Sequence, residues 1–102
     1  MLNKSIYLSE IERIMNIRCG RNRWCYYAVS TRGGAQISVC GDDEASYSLL
    51  DGTLFYYKSA IAAENEAHDL NQTRLNITPD QSAAIIARSM AQAAFQRKRN
   101  HR

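Results

Sequence analysis

A chain of 102 residues with 45% hydrophobic and 23% charged side chains predicts one globular domain and excludes intrinsic disorder. No apolar run approaches the length of a membrane span, and the first residues lack the apolar stretch of a secretory signal, so we expect a cytoplasmic protein. The net charge is only +3, but Lys and Arg concentrate in residues 1–24 and 81–102, whereas Asp and Glu concentrate in residues 25–80. Two basic ends therefore flank an acidic middle.

The first predicted element is a helix at residues 9–17. Ser9 and Glu12 match the capping-box pattern S-x-x-E, in which the two side chains satisfy backbone N–H groups of the first turn. Apolar side chains recur at helical spacing from Ile11 onward. Gly20 follows at a position where many helices end in a left-handed residue, so we expect the helix to stop before it.

The residues that follow change to the period of β-strands. The segment Arg23–Ser30, RWCYYAVS, is aromatic and β-branched, and Thr31–Gly34, TRGG, has two glycines suited to a tight turn. In Ala35–Cys40 apolar residues alternate with polar residues and Cys40, which predicts a half-buried antiparallel strand. These three segments together predict a β-hairpin.

Less regular segments complete the predicted sheet. We expect a polar loop at residues 41–46 and a strand at residues 53–59, whereas residues 47–52 fit either a short strand or a helical turn. The next helix is predicted at Ala60–Gln72, because Ser59 is a suitable N-cap. Its core-facing side chains are predicted to be Ala60, Ala63, Ala67 and Leu70.

The last helix has the clearest start, because Thr78 is a cap, Pro79 fits the first helical position and Gln81 completes a capping box. We expect it to run from Pro79 to about Lys98, with positive charge beginning where packing ends. Its predicted core-facing stripe is Ala83, Ile86, Met90 and Ala94, flanked by Ala87 and Phe95.

The predicted fold is α+β, an antiparallel three- or four-stranded sheet packed against helices in the order α-β-β-(β)-β-α-α. It forms a single domain over residues 1–102, with a basic helix end at residues 95–102.

The sequence predicts neither a metal site nor a cofactor, and no enzyme. Three cysteines without an export signal, Cys19, Cys25 and Cys40, are expected to be reduced structural thiols. His68 and His101 do not fall at the spacing of a zinc finger, and no CxxC pair is present. No nucleophile elbow occurs, and we interpret His68 as a solvated helix histidine rather than a general base.

A cluster of arginines and aromatic residues in IRCGRNRWCYY, residues 17–27, is a candidate binding site. Guanidinium groups contact phosphate and aromatic faces stack on bases, but the same residue types also concentrate binding energy at protein interfaces. The alternative is that the aromatic rings fill the core, and the alternation of the strand leaves open which rings face outward. The candidate residues are Arg18, Arg21, Arg23, Trp24 and Tyr26.

The C-terminal FQRKRNHR, residues 95–102, is a second basic candidate. Cations in the last turn complement the helix dipole, but that accounts for about two of them. The remaining charge suits a phosphate backbone or an acidic protein surface. The candidate residues here are Arg97, Lys98, Arg99 and Arg102.

The acidic middle has three interpretations. Its carboxylates either form a solvated surface, occupy a basic nucleic-acid-binding groove of another protein, or pair with the basic ends of a second copy in a homodimer. The loop acids lack the spacing of a calcium loop. The candidate residues are Asp42, Asp43, Glu44, Glu64, Glu66 and Asp69.

The segment TLFYYKSAIAAENEAHDLN, Thr53–Asn71, resembles small phage and prophage accessory proteins, including some anti-CRISPR inhibitors, which join a short antiparallel meander to an alanine-rich helix. The element order also resembles that of the double-stranded-RNA-binding domain. Only Lys58 of that domain's lysine pair is present, however, and the helix carries acidic residues that would repel a duplex. The resemblance to the phage accessory proteins implies a phage inhibitor, and it assigns no site residue.

We therefore predict a small non-enzymatic protein that binds a protein or ribonucleoprotein complex, as a phage or mobile-element inhibitor or modulator. The alternative is a nucleic-acid-binding regulator that uses the basic N-terminal loop and the C-terminal tail. Neither hypothesis involves a membrane.

Overall fold

The computed structural model describes residues 3–41, 47–52 and 54–100, except for the side chains of residues 47–49 and 96–100. The described chain is an α+β fold, which confirms the predicted class and order. Its elements are α1 (Lys4–Arg18), β1 (Trp24–Thr31), β2 (Gly34–Gly41), β3 (Tyr47–Leu49), β4 (Tyr56–Tyr57), α2 (Ala60–Leu75) and α3 (Pro79–Asn100).

The sheet is antiparallel and is built around β2. One edge of β2 pairs with β1 along its whole length, and the other pairs with β3 and then β4. The predicted turn is confirmed, because Thr31 lies opposite Gly34 and Gly33 takes a φ of +84° between them. Residues 47–52 include a strand rather than a helical turn. The strand predicted at 53–59 is reduced to Tyr56–Tyr57, and the loop predicted at 41–46 lies mostly outside the described residues.

Helices cover both faces of the sheet. On one face α1 and α2 enclose a large core, in which Trp24, Tyr26 and Phe55 are fully buried. On the other face the first turns of α3 cover a smaller cluster around Cys25 and Cys40. The prediction that β2 is half-buried is therefore wrong, because the side chains on both of its faces are covered.

The edge of β1 is closed by an asparagine from α2. Asn71 is only 2% exposed, and its side-chain oxygen accepts a hydrogen bond from the Tyr26 N–H at 2.8 Å. Its side-chain NH₂ group donates to the Tyr26 carbonyl at 2.9 Å. The amide thus supplies the two hydrogen bonds that a neighbouring strand would supply, and it satisfies polar groups that would otherwise be buried unpaired.

The first helix starts earlier than predicted. Asn3 is its N-cap, and the Asn3 side chain accepts hydrogen bonds from the N–H groups of Ser5 and Ile6. The predicted start at residue 9 is wrong, because Ser9 and Glu12 lie inside the helix and bind Arg74 of α2 instead of capping backbone groups.

The second helix follows its predicted start. The Ser59 hydroxyl accepts from the Ala62 N–H at 3.1 Å, which confirms the cap. The helix continues to Leu75, three residues beyond its predicted end, and Asn76 follows in the left-handed conformation. The predicted buried stripe is confirmed at Ala63, Ala67 and Leu70, whereas Ala60 is exposed.

The third helix has the predicted cap but a different buried face. Thr78 and Gln81 exchange side-chain hydrogen bonds with each other's backbone N–H groups. The buried residues are Ser82 and Ile85, with Ile86 half-buried. Ser82 is tolerated there because its hydroxyl donates to the Pro79 carbonyl.

The predicted core-facing stripe of α3 is therefore wrong for most of its length. Only the first turns of the helix bury side chains against the sheet, and from residue 87 to residue 95 every side chain except the half-buried Ser89 is exposed. The predicted stripe residues that are exposed are Ala83, Ala87, Met90, Ala94 and Phe95.

Candidate binding surfaces

The two aromatic residues predicted for binding are core residues. Trp24 is 1% exposed and Tyr26 is fully buried. The polar tip of each ring is satisfied inside, because the Trp24 indole N–H donates to Asn16 at 2.7 Å and the Tyr26 hydroxyl donates to Glu12 at 2.7 Å. Direct base stacking by these rings is thereby contradicted, and the core alternative is correct for both.

The three arginines near these rings are exposed at one end of the molecule, where α1 ends and the chain turns into β1. Arg18 belongs to the last turn of α1, and Arg21 and Arg23 follow in the connecting loop. Arg21 lies on the wall of a polar cleft of about 640 Å³. The cleft is bounded by the C-terminal ends of α1 and α2 and by the start of α3.

An ion pair forms part of the wall of this polar cleft. Arg74 contacts both oxygens of the Glu12 carboxylate, at 2.5 and 3.2 Å, and the same guanidinium group donates to the Ser9 hydroxyl. The hydrogen bond to Glu12 raises the pKa of Arg74 above its ordinary value. Arg74 and Glu12 therefore join α1 to α2 next to the Tyr26 hydroxyl. Arg21 also lines the cleft, and it is exposed.

The two basic clusters are far apart. Gln81, near the start of α3, lines the polar cleft together with Arg21. Arg97, Lys98 and Arg99 belong to the last turns of the same helix, about 24 Å farther along its axis from Gln81. The structure does not bring these residues together with the N-terminal arginines, and Arg102 lies outside the described residues.

The acidic candidates divide between the described and undescribed parts of the chain. Asp42, Asp43 and Glu44 lie outside the described residues. Glu64 and Asp69 are exposed on α2, and Glu66 is half-buried beside them. His68 is also exposed there, as expected for a solvated helix histidine. Because α2 and α3 cover opposite faces of the sheet, these carboxylates do not neighbour the basic end of α3.

An apolar groove that the sequence did not predict lies between α3 and the hairpin. Its volume is about 400 Å³. One wall is Tyr27–Ser30 of β1, with Cys40 of β2, and the other is formed by the middle of α3. Two of the helix residues that line the groove, Ser89 and Ala93, have short side chains, which leaves space between the helix and β1. We refer to it below as the α3 groove, and the residues that α3 contributes are Ile86, Ser89, Met90 and Ala93.

The α3 groove continues into an exposed apolar surface. Met90 is 60% exposed at the rim of the groove, and Phe95 is 57% exposed farther along α3, about 140° around the helix from Met90. The basic residues at positions 97–99 follow Phe95 after Gln96. The hydrophobic pattern of α3 predicts an apolar face, but no short-range pattern indicates that this face remains uncovered.

The described residues contain no group of three or more His, Cys, Asp or Glu side chains that could hold a metal ion. No helix in the described part of the chain is long and apolar enough to cross a bilayer. Comparisons of the chain with protein-family models, curated proteins and solved structures found no match.

Proposed function

We propose that this chain is a small non-enzymatic binding protein that engages a protein or nucleoprotein target through the outer half of α3. The proposal includes action in the cytoplasm as an inhibitor or modulator encoded by a phage or mobile element, of the anti-CRISPR kind. The observation that supports it is the exposure of Met90 at the rim of an open apolar groove, with Phe95 exposed farther along the same helix.

Large exposed side chains on a projecting helix are typical of protein recognition. Met and Phe are enriched at the centres of protein interfaces, and an amphipathic helix beside a groove is a recurrent way of contacting a partner. The three basic residues at 97–99 add charge next to this apolar surface. The partner that fits is a protein whose contact surface places apolar side chains next to carboxylates.

The experiment is affinity capture with matched surface variants. The chain is immobilised, exposed to lysate, and the captured proteins are quantified by mass spectrometry. Met90→Glu should reduce recovery of the specific partner at least about tenfold, since it places an unpaired charge in the interface. The matched control is Ile61→Glu on α2, because Ile61 is 71% exposed and lies on the opposite face of the sheet.

Recovery by the Ile61→Glu variant should equal that of the unmodified chain. Equal recovery by Met90→Glu would contradict the proposal. Circular dichroism of both variants checks that each retains its helices, so that loss of capture reports on the surface rather than on folding.

A nucleic-acid-binding regulator is the second candidate, and the exposed arginines beside the polar cleft favour it. The contacts would be to phosphate rather than to bases, because Trp24 and Tyr26 are buried. Affinity for generic duplex DNA or RNA should then fall steeply as salt rises. Arg21→Ala should weaken such binding at low salt, and the absence of any binding to DNA or RNA at low salt would contradict this candidate.

A further inference from the structure

Cys25 and Cys40 occupy directly opposite positions in the hairpin. They are Cα partners in the register of β1 and β2, and both side chains lie on the sheet face covered by α3. Cys25 is fully buried and Cys40 is 2% exposed. The spacing of the two residues in the sequence does not by itself indicate that they pair. Which residues lie opposite each other in a hairpin depends on the position of the turn.

The backbone pattern gives the separation of these two residues. Tyr26 directs its N–H and carbonyl away from β2 toward Asn71, and Ile37 directs its own toward Phe55 and Leu50. The alternation of an antiparallel ladder then makes Cys25 and Cys40 a hydrogen-bonded pair, with Cα atoms about 5.5 Å apart. Disulfides most often span about this distance.

The two sulfurs lie in different surroundings. Cys40 lines the α3 groove, whereas Cys25 lies beneath α3, where its thiol is 3.8 Å from the Ser82 carbonyl. A hydrogen bond from the Cys25 thiol lowers the pKa of Cys40, and Ser89 acts in the same direction. The same hydrogen bond raises the pKa of Cys25, and burial of the Cys25 thiol raises it further. Cys40 is thus the sulfur that lines the groove and the one whose pKa is lowered.

We propose that Cys25 and Cys40 are a modification site, a dithiol that closes to an intramolecular disulfide when a peroxide enters the α3 groove. The inference does not rest on the proposed function, and either can fail without the other.

The chemistry balances with hydrogen peroxide as the oxidant. The Cys40 thiolate attacks one peroxide oxygen, the O–O bond breaks, and the departing hydroxide takes up a proton to become water. The Cys40 sulfenic acid is then attacked by the Cys25 sulfur, so the S–S bond forms as the S–O bond breaks. The departing hydroxide takes the Cys25 thiol proton as the second water. A low-molecular-weight thiol reverses the reaction by exchange and is itself oxidised to its disulfide.

The test is peptide mapping of the intact, folded chain. Reduced protein is treated with hydrogen peroxide, remaining thiols are alkylated, and trypsin is applied without reductant. Cleavage after Arg23, Arg32 and Lys58 separates the two cysteines onto peptides 24–32 and 33–58. The expected product is these two peptides joined, with the mass of two hydrogen atoms lost, and its disappearance on addition of dithiothreitol.

Cys19 is the internal control. It is buried at the end of α1 and belongs to the core on the other face of the sheet. Cys19→Ser should still give the joined peptides, and Cys25→Ser and Cys40→Ser should not. Cys25→Ser, which retains Cys40, should react with peroxide several-fold faster than Cys40→Ser, because Cys40 lines the α3 groove whereas Cys25 lies beneath α3.

Three outcomes would overturn the proposal. One is the absence of joined peptides while circular dichroism shows a folded chain. Another is a disulfide that involves Cys19 or a second chain, and the third is equal or reversed reaction rates for the two single variants. The mapping uses the unmodified chain, so it stays decisive even if a serine variant fails to fold.

Discussion

The two faces of the same sheet are packed in different ways. The face under α1 and α2 buries three large aromatic rings, and each polar atom described there on Trp24 and Tyr26 has a partner. The face under α3 has a small cluster of thiols and aliphatic side chains, and the α3 groove opens beside it. We infer that the first face supplies most of the stability, which leaves the second face free to expose apolar groups.

The largest expected effect is on the aromatic face. Trp24→Ala removes a fully buried indole and should lower the free energy of unfolding by about 3–5 kcal/mol. Ile86→Ala, in the α3 groove, should lower it by about 1 kcal/mol, because Ile86 is half-buried and its loss creates no closed cavity. Urea unfolding of both variants measures the difference, and similar losses would contradict the division of stability between the faces.

Loss of the Asn71 amide should be the next largest effect. Asn71→Ala leaves the N–H and carbonyl of Tyr26 buried without partners, which should cost about 2–3 kcal/mol of unfolding free energy. Asn65→Ala is the matched control on the same helix, because Asn65 is exposed and alanine favours helix. Denaturant unfolding should show little change for the control, and an equally mild effect of both variants would disprove the role given to Asn71.

Alkaline pH should weaken the aromatic face in particular. Burial, and then the hydrogen bond to Glu12, raise the pKa of Tyr26 above its ordinary value of 10.0. The hydroxyl keeps its proton in the folded chain and loses it first in the unfolded chain. The contribution of Tyr26 to stability is therefore complete below about pH 10 and is lost above it, by at most about 1.4 kcal/mol per pH unit.

Urea unfolding across this alkaline range, with Tyr26→Phe as the comparison, measures that contribution. The variant should be less stable at neutral pH, because it lacks the bond to Glu12, but should lose less stability as pH rises. A residual slope is expected from Tyr57, since burial also raises its pKa. An unchanged slope in Tyr26→Phe would rule out Tyr26 as the source.

The smallest effect on stability should come from the rim of the α3 groove. Met90 is 60% exposed, so Met90→Ser should change the free energy of unfolding by less than about 0.5 kcal/mol. A loss comparable to that of Ile86→Ala would show that Met90 is part of the packed structure. The rim would then be a poor candidate for a binding surface.

Local chemistry made several elements predictable. Ser59, Thr78 and Gln81 act within three residues of their own positions, so their caps could be inferred from sequence. The turn at Gly33 is local in the same sense, because its φ requires glycine whatever packs nearby. These two caps and the turn were therefore confirmed.

Long-range contacts account for the errors. Ser9 and Glu12 imitate a helix start, but both side chains bind Arg74, more than sixty residues away. The orientation of α3 was missed for a related reason, since Ser82 is polar and yet faces the core. Hydrophobic pattern alone assigned the exposed apolar residues of α3 to the core instead.

The candidate surfaces were predictable in residue type but not in placement. The sequence identified Arg18, Arg21 and Arg23 as a cluster, and they do lie close together at one end of the molecule. Whether Trp24 and Tyr26 face the core depends on which face of β1 packs against α1 and α2. The α3 groove required knowledge of where α3 leaves the sheet, which no short-range pattern encodes.

The closure of β1 by Asn71 has a consequence for self-association. A sheet edge with exposed N–H and carbonyl groups can add a strand from another molecule, and such addition is a route to aggregates. At Tyr26 these two groups already form hydrogen bonds with the side-chain amide of Asn71, to which no further strand can be added. A strand from another molecule therefore finds no free backbone partner at this position of β1.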